Sequence, residues 1–510
     1  MKIQRTKNAT RNIFFGVIYK VDTILFPFLV RTVMIYFMGT EYVGLSSLFS
    51  SILSFLSLAE LGVGSALVYS MYKPIAEDDS DTICALLNLY KKLYKYIGTI
   101  ILVIGLCLMP FLDKLVESDC PEDINLYILF AIYLANTVLS YWVFGYKQSL
   151  LTAHQRTDVI SKRSLVVQTG MYLCQIIVLL AFRNYYLYII LLPIFTVGTN
   201  IANAIIVSKM FPEYKCRGNV SRELETSIKK KILALFGTKA NSIVLHAADN
   251  IVISAFLGLI MVGKYGNYYY ILNAVIGMMT IIYDSLTAGI GNSIEMESIE
   301  KNYNDFNMLG FLNMWLVTFC SVCLLCLYQP FMRIWVGESN MFPMSVVVLL
   351  VVYFYVYQIR RIVLTYKDAA GIWWEDRIRP YVVMVVNIVG NLIMVQFIGI
   401  YGVILSTIIS MIVSWPWENY TVFKFLFKRS SKEYYKKILI YMLKGLIIAC
   451  VTLLCCRWIP SGVGWFLIDI LICIVLPNVL FILLFFKDKE MHQTINLIRT
   501  RYLVKFRKKA

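Results

Sequence analysis

Fourteen apolar segments constrain the possible fold of this chain more than any other feature of its sequence. About 17–25 residues of helix, rising about 1.5 Å per residue, cross the hydrocarbon core of a bilayer. Hydrophobic residues make up 59% of the chain and charged residues only 15%, which excludes an ordinary soluble domain. We therefore predict an all-α polytopic membrane protein with about 14 transmembrane helices, at residues 12–37, 43–71, 96–113, 125–146, 164–182, 185–208, 233–257, 264–289, 309–329, 343–359, 380–398, 401–423, 438–456 and 463–486.

The net charge of +17 is concentrated on one side of the predicted membrane. Connections on the side of the two termini hold 39 of the 48 lysines and arginines. Such an excess is typical of cytoplasmic loops. We therefore predict that both termini are cytoplasmic and that the protein has no nucleic-acid partner. We expect the basic end of the chain, Arg499 to Lys509, to lie on anionic membrane lipids.

A short internal repeat predicts two related halves. The motif F-x-G-x3-V-G at residues 37–44 recurs at residues 256–263, an offset of 219 residues. Both copies lie on the first two helices of a six-helix set, which predicts a parallel repeat about an axis along the membrane normal. We predict five parts: an N-terminal lobe (1–208), a cytoplasmic linker (209–232), a C-terminal lobe (233–424), two further helices (425–486) and a basic cytoplasmic tail (487–510).

The connections between the spans are too short to form a separate catalytic domain. One of the longest on the basic side, residues 209–231, is well below the ~40 residues that a domain needs to stand alone. A membrane glycosyltransferase or polysaccharide polymerase would need a larger outer loop for its catalytic groups. We therefore predict no enzymatic activity and place the function in the spans or at their ends.

Several local sequences resemble those of a known transporter family. They are SLAELGVGSA at 57–66, YKPIA at 72–76, YKK at 90–92 and QPFMRIWVGE at 329–338. They resemble segments of bacterial polysaccharide transporters, the Wzx-type flippases of O-antigen or capsule repeat units, whose superfamily (MOP) includes the MATE exporters. The resemblance implies two six-helix MATE-like lobes plus two C-terminal helices.

The same resemblance implies a function and partners. Such a flippase moves a polyprenyl-diphosphate-linked oligosaccharide from the cytoplasmic to the outer face of the bacterial inner membrane by alternating access, for surface polysaccharide biosynthesis. The polymerase and glycosyltransferases of the same pathway would be partners. The alternative is a MATE-like exporter of small organic cations. That exporter would need an anionic cavity, whereas the first span carries more positive than negative charge.

Basic residues inside the spans are candidates for binding an anionic cargo. Lys20 and Arg31 are eleven residues apart, about three helical turns, and so share one face about 16 Å apart along the axis. Lys239 stands at the position equivalent to Lys20 in the second copy of the repeat. Lysine and arginine both bind phosphate, so we predict a cationic cavity formed by Arg31, Lys20 and Lys239. Alternatively, Lys20 pairs with Glu60 or Asp22 and only holds the first two spans together.

Acidic residues and one histidine inside the spans are candidates for ion coupling or for helix packing. They are Glu60, Asp22, His246, Asp249 and Asp284. A carboxylate in a low-dielectric site becomes a plausible proton carrier. Beyond coupling to a proton or sodium we expect no cofactor. The glycines at 62 and 64 favour close packing of Glu60 against a polar helix, which we predict to be the first span.

Three cysteines have a spacing that is also found in metal sites. Cys320, Cys323 and Cys326 form a C-x2-C-x2-C pattern. They lie in an apolar predicted helix without a neighbouring histidine. We interpret them as small packing residues and expect no metal site.

Overall fold

The chain forms long helices separated by short turns. The structure, a computed structural model, describes residues 5–116, 120–460 and 462–498, without the side chains of 5–14, 17, 234, 235, 238, 242, 246, 288, 497 and 498. The helices in the first half are α1 (Arg5–Phe37), α2 (Thr40–Leu56), α3 (Val63–Ala76), α4 (Ser80–Leu108), α5 (Leu112–Leu115), α6 (Leu126–Trp142), α7 (Gln148–Ala153), α8 (Thr157–Phe182), α9 (Tyr185–Met210) and α10 (Arg222–Leu257).

The second half continues in the same way, and no strand occurs among the described residues. Its helices are α11 (Leu259–Met296), α12 (Ile299–Val336), α13 (Met344–Ile359), α14 (Arg361–Ala369), α15 (Arg379–Ile398), α16 (Ile400–Val422), α17 (Lys432–Arg457), α18 (Val463–Phe485) and α19 (Lys489–Ile498).

Polar residues start several of these helices by accepting hydrogen bonds from backbone N–H groups that have no partner within the helix. Asp79 caps α4 by accepting from the amide of Thr82 at 3.0 Å, and hydrogen bonds from the Thr82 hydroxyl group and from this amide lower the pKa of the Asp79 carboxyl group. Asn184 caps α9 and Ser221 caps α10 in the same way. Each cap lies in a polar connection that precedes an apolar segment.

The prediction of an all-α polytopic membrane protein is confirmed. Within the described residues, 12 helices are long and apolar enough to cross a membrane, or up to 13 if the bent pair Leu126–Trp142 and Gly145–Ala153 counts as one span. Each of the fourteen predicted segments overlaps a helix, and the second overlaps two. Helix α1 is not among the twelve, and its apolar part contains the charged Lys20, Asp22 and Arg31.

The chain divides into two compact units, residues 1–266 and 267–510. In the first unit the ring of Phe49 packs on those of Phe130 and Tyr133, with centroids 5.7 and 5.5 Å apart. In the second unit Phe306 packs edge-on against Tyr366, and α17 and α18 pack on α12 and on each other. The predicted lobe and linker boundaries stay a prediction.

Candidate functional site

The second predicted span is not one continuous helix, as its apolar run at 43–71 predicted. Helix α2 ends at Leu56, a 3-10 turn covers Ser57–Glu60, and α3 begins at Val63. Gly62, which precedes α3, has a φ of 85°, a left-handed conformation that glycine adopts without strain. The prediction of an unbroken helix was therefore wrong, because Gly62 ends the helical geometry in the middle of the apolar run.

The break places the carboxylate of Glu60 among tyrosines. Tyr94 donates a hydrogen bond to Glu60 Oε1 at 2.9 Å, and Tyr141 donates to Oε2 at 3.3 Å. Tyr90 donates in turn to the hydroxyl oxygen of Tyr94 at 3.1 Å. The predicted partner of Glu60 in the first span was therefore wrong, since these tyrosines belong to α4 and α6.

Close packing beside Glu60, which the neighbouring glycines predicted, is present. A Cβ atom added at Gly64 would lie 2.8 Å from the hydroxyl oxygen of Tyr90 and 3.4 Å from Glu60 Oε1. A real Cβ at the shorter distance would force the tyrosine ring to shift. The absence of a side chain at Gly64 therefore allows Tyr90 to pack close to Glu60 at the break.

We expect Gly62→Ala to destabilise the break between α2 and α3. Alanine in a left-handed conformation costs roughly 1 kcal/mol, so the melting temperature of the purified protein in detergent should fall by about 2 °C. Gly198→Ala in α9 is the matched control, because its added methyl group meets no atom within 4 Å and its backbone is helical. Equal melting temperatures for the two variants would contradict the role assigned to Gly62.

A cavity of about 700 Å³ opens beside this break. Tyrosines, hydroxyl groups and amides dominate its wall, and Tyr69 and Tyr72 at its edge are exposed. Among the described lining residues Glu60 is the only acid and Lys239 the only base. The polar and aromatic lining consists of Ser65, Tyr69, Tyr72, Tyr90, Tyr94, Ser140, Tyr141, Gln148, Ser149, Thr152 and Asn200.

Lys239 is the one predicted cargo residue that the structure brings to this cavity. It lies on α10, which packs on α2 and α3. Its ammonium group donates to the Ser65 hydroxyl at 2.7 Å, in the first turn of α3. A second lysine of α10, Lys231, lies over the ring of Tyr69, with Nζ 4.5 Å from the centroid. This part of the wall therefore carries positive charge.

Lys20 and Arg31 do not line the described wall of the cavity, so the predicted cationic set does not come together there. Lys20 is exposed, and no ion pair joins it to Glu60 or Asp22 among the described contacts. Asp22 is instead buried and accepts a hydrogen bond from Thr169 of α8 at 2.7 Å. The Arg31 guanidinium lies beside the start of α11, 3.5 Å from the carbonyl oxygen of Gly263.

The remaining predicted coupling residues lie in different surroundings. Asp249 is buried and accepts a hydrogen bond from the Tyr265 hydroxyl at 3.2 Å. The side chain of His246 lies outside the described residues, so its predicted role stays a prediction. Asp284 is 70% exposed and lies 3.8 Å from Arg361, and its predicted role in ion coupling or helix packing stays a prediction.

The two copies of the repeated motif pack on each other reciprocally. A Cβ atom added at Gly44 would overlap the carbonyl oxygen of Leu259, and one added at Gly263 would overlap that of Thr40. Thr40 and Leu259 are themselves related by the offset of 219 residues, as are Gly44 and Gly263. The sequence predicted the equivalence of the two hairpins but not their contact, which we call the reciprocal glycine contact.

The second unit contains a buried group of charges that the sequence analysis missed. We call it the ion cluster: Lys367, Asp376, Arg379, Arg360 and Glu418, all at most 7% exposed. Glu418 accepts from Arg360 at 2.9 Å and from Arg379 at 2.8 Å. Asp376 accepts from Arg379 and Lys367, each at 2.7 Å. The signal that could have identified it is Glu418, a carboxylate inside the predicted span 401–423, just as Glu60 was identified by lying inside a span.

No family model and no curated protein matches this sequence. Solved structures do match. The lipid II flippase MurJ, in an inward closed conformation, has a TM-score of 0.64 and 16% identity, covering 93% of this chain and 99% of MurJ. An inward-facing multidrug resistance MATE transporter has a TM-score of 0.60 and 15% identity, covering 76% and 92% of the two chains.

A third match is a MOP-superfamily transporter from Pyrococcus furiosus, described as having a binding pocket of reverse polarity. Its TM-score is 0.55 at 14% identity, covering 83% of this chain and 97% of the other. At these identities the likeness shows the fold. The chain is a multi-pass membrane protein with the fold of the MOP-superfamily transporters.

Proposed function

We propose that this protein flips a polyprenyl-diphosphate-linked oligosaccharide across the bacterial plasma membrane by alternating access. The fold supports transport, because the matched structures are a lipid II flippase and MATE transporters that align along most of their length. The cargo class rests on the cavity beside the break between α2 and α3. Its volume of about 700 Å³ lies within the range of ~300–1,000 Å³ that is typical of ligand sites.

The wall chemistry suits a sugar. Hydroxyl and amide groups donate and accept hydrogen bonds, as sugar hydroxyls require, and tyrosine rings offer flat apolar faces beside polar tips. The one acid, Glu60, already accepts two tyrosine hydroxyl groups. Lys239 offsets its charge, so the wall lacks the net negative charge that an exporter of organic cations would need.

Lys239 is the candidate contact for the diphosphate. A lysine binds phosphate as a point charge. It hydrogen-bonds Ser65 in the first turn of α3, where backbone N–H groups lack partners within the helix and favour an anion. The observation that carries the proposal is therefore this lysine beside a helix start in a wall of hydroxyls, amides and tyrosines.

The experiment compares lysine variants in cells. In cells that lack the protein, polyprenyl-linked lipids are profiled by mass spectrometry and surface polysaccharide is scored. We expect the lipid-linked repeat unit to accumulate facing the cytoplasm and the surface polymer to disappear. Wild type should restore both. Lys239→Ala should fail, because losing a charged hydrogen bond of about 1.5–3 kcal/mol lowers cargo affinity roughly 10- to 100-fold.

Lys230→Ala is the matched control. Lys230 is an exposed residue of the same helix that does not line the cavity, and its variant should restore the polymer as well as wild type. Protein levels in the membrane must be equal. Unchanged lipid intermediates and intact polymer in the deleted cells would overturn the proposal and favour the cation exporter.

A further inference from the structure

Three cysteines from three helices of the second unit meet at one point. They are Cys326 of α12, Cys456 at the end of α17 and Cys473 of α18, and their Sγ atoms all lie within 4.8 Å of one another. The Sγ atoms of Cys456 and Cys473 are 4.0 Å apart. Cys473 is fully buried and Cys326 is 5% exposed. The sequence placed only Cys326 in a metal-like spacing, and the other two come from more than a hundred residues further along the chain.

A carboxylate lies beside one of these three sulfur atoms. Asp469 precedes Cys473 by one helical turn on α18, and its side chain contacts the Cys456 thiol. Asp469 is 6% exposed, and its Oδ1 atom is buried without a hydrogen-bond partner among the described residues. Burying such an oxygen atom without a partner costs about 1–3 kcal/mol, so it is expected to have a ligand.

We propose that Cys326, Cys456, Cys473 and Asp469 bind a thiophilic d10 metal cation, Zn²⁺ or Cu⁺. Three sulfurs and one carboxylate oxygen give the four ligands that Zn²⁺ takes in tetrahedral sites. Three sulfurs alone suit Cu⁺, because soft thiolate ligands select Cu⁺ and Zn²⁺ over harder cations. This site replaces our expectation that the cysteines of α12 serve only in packing.

A bound cation would also allow some of these ligands to ionise inside the span. Ionised thiols in an apolar span are costly, so thiols without a metal stay protonated. A bound cation compensates the ligands that ionise, and their protons are released to the solvent. Since the ligands come from α12, α17 and α18, the metal holds the two C-terminal transmembrane helices on α12. It therefore stabilises the second unit.

The test measures metal binding by the full-length protein in detergent. The protein is purified without oxygen, with a phosphine reductant, and incubated separately with Zn²⁺ or Cu⁺. After removal of unbound ions, we expect about one ion per chain by elemental mass spectrometry. Replacement by Co²⁺ should give the absorption of thiolate-to-cobalt charge transfer. The melting temperature should rise on binding, because the ion binds only the folded state.

Substitutions distinguish the proposed site from the other cysteines, and they distinguish binding of Zn²⁺ from binding of Cu⁺. Cys473→Ser and Cys456→Ser should each lower affinity by at least about tenfold. Asp469→Asn should weaken Zn²⁺, which uses the carboxylate, and leave Cu⁺ unchanged. Cys320→Ser is the matched control, because this cysteine of α12 lies outside the group of three and should leave binding intact.

The site would be overturned if the wild-type protein retained no more Zn²⁺ and no more Cu⁺ than the Cys456→Ser variant while both proteins showed the same elution profile. Cys456 is only partly buried at the end of α17, so its serine variant is the one expected to fold normally. A loss of binding in Cys320→Ser as large as in Cys473→Ser would overturn the site too. A disulfide between Cys456 and Cys473 that persists under the reductant, without bound metal, would do the same.

Discussion

Replacing Glu418 by alanine is expected to abolish stable folding of the second unit. This carboxylate is fully buried and accepts from both Arg360 and Arg379, so its loss leaves two buried guanidinium groups without it. Removing one partner of a buried ion pair costs about 3–5 kcal/mol, a large part of the total stability of a typical domain. We expect little or no folded protein in the membrane, measured by size-exclusion chromatography of a fluorescent fusion in detergent.

The matched control for this substitution is Glu338→Ala. Glu338 pairs with Arg333 at 3.1 Å, but the acid is 77% exposed, and such surface pairs contribute about 0–1 kcal/mol. This variant should elute like wild type. Normal folding of Glu418→Ala would mean that other groups compensate the two arginines, and the ion cluster would then not be needed for stability.

The second large effect is expected at the reciprocal glycine contact. Gly44→Ala and Gly263→Ala each add a methyl group against backbone atoms, which cannot rotate away as a side chain can. The two hairpins must then separate, at a cost of about 1–3 kcal/mol for each substitution. The melting temperature of the purified protein should fall clearly in both variants. Gly170→Ala is the control, because its methyl group would make only an ordinary contact of 3.8 Å with Phe195.

The double variant tests whether the two glycines form one contact. Once either alanine has separated the hairpins, the second methyl group enters space that is already open. The loss of stability in the double variant should therefore be smaller than the sum of the two single losses. Strict additivity would show that the two glycines act independently and would contradict the reciprocal arrangement.

The sequence predicted the helices well because hydropathy is a local property. The long apolar segments are helical apart from the break between α2 and α3, and the charges between the segments mark where they end. The break at Gly62 was less visible, since apolar residues continue on both sides of it. A glycine conformation with a φ of 85° is decided by packing around Glu60, which hydropathy does not report.

The sequence could not predict the partners of the buried charges, for a different reason. Glu60 contacts tyrosines that are 34 and 81 residues away in the chain, and Glu418 contacts an arginine 58 residues away. Spacing along one helix predicts which side chains share a face but not which other helix packs there. Lys239 was found through its equivalence to Lys20 in the repeat, although the two lysines lie in different surroundings.

The reciprocal glycine contact has a consequence for the origin of the chain. Each of the two hairpins packs one glycine against the backbone of the other hairpin, and the two glycines are at equivalent positions 219 residues apart. A shorter chain with a single copy would present both complementary surfaces at once, as the isologous interface of a symmetric homodimer does. Gene duplication followed by fusion would then convert that dimer into one polypeptide and retain the contact, leaving each copy free to acquire its own charges.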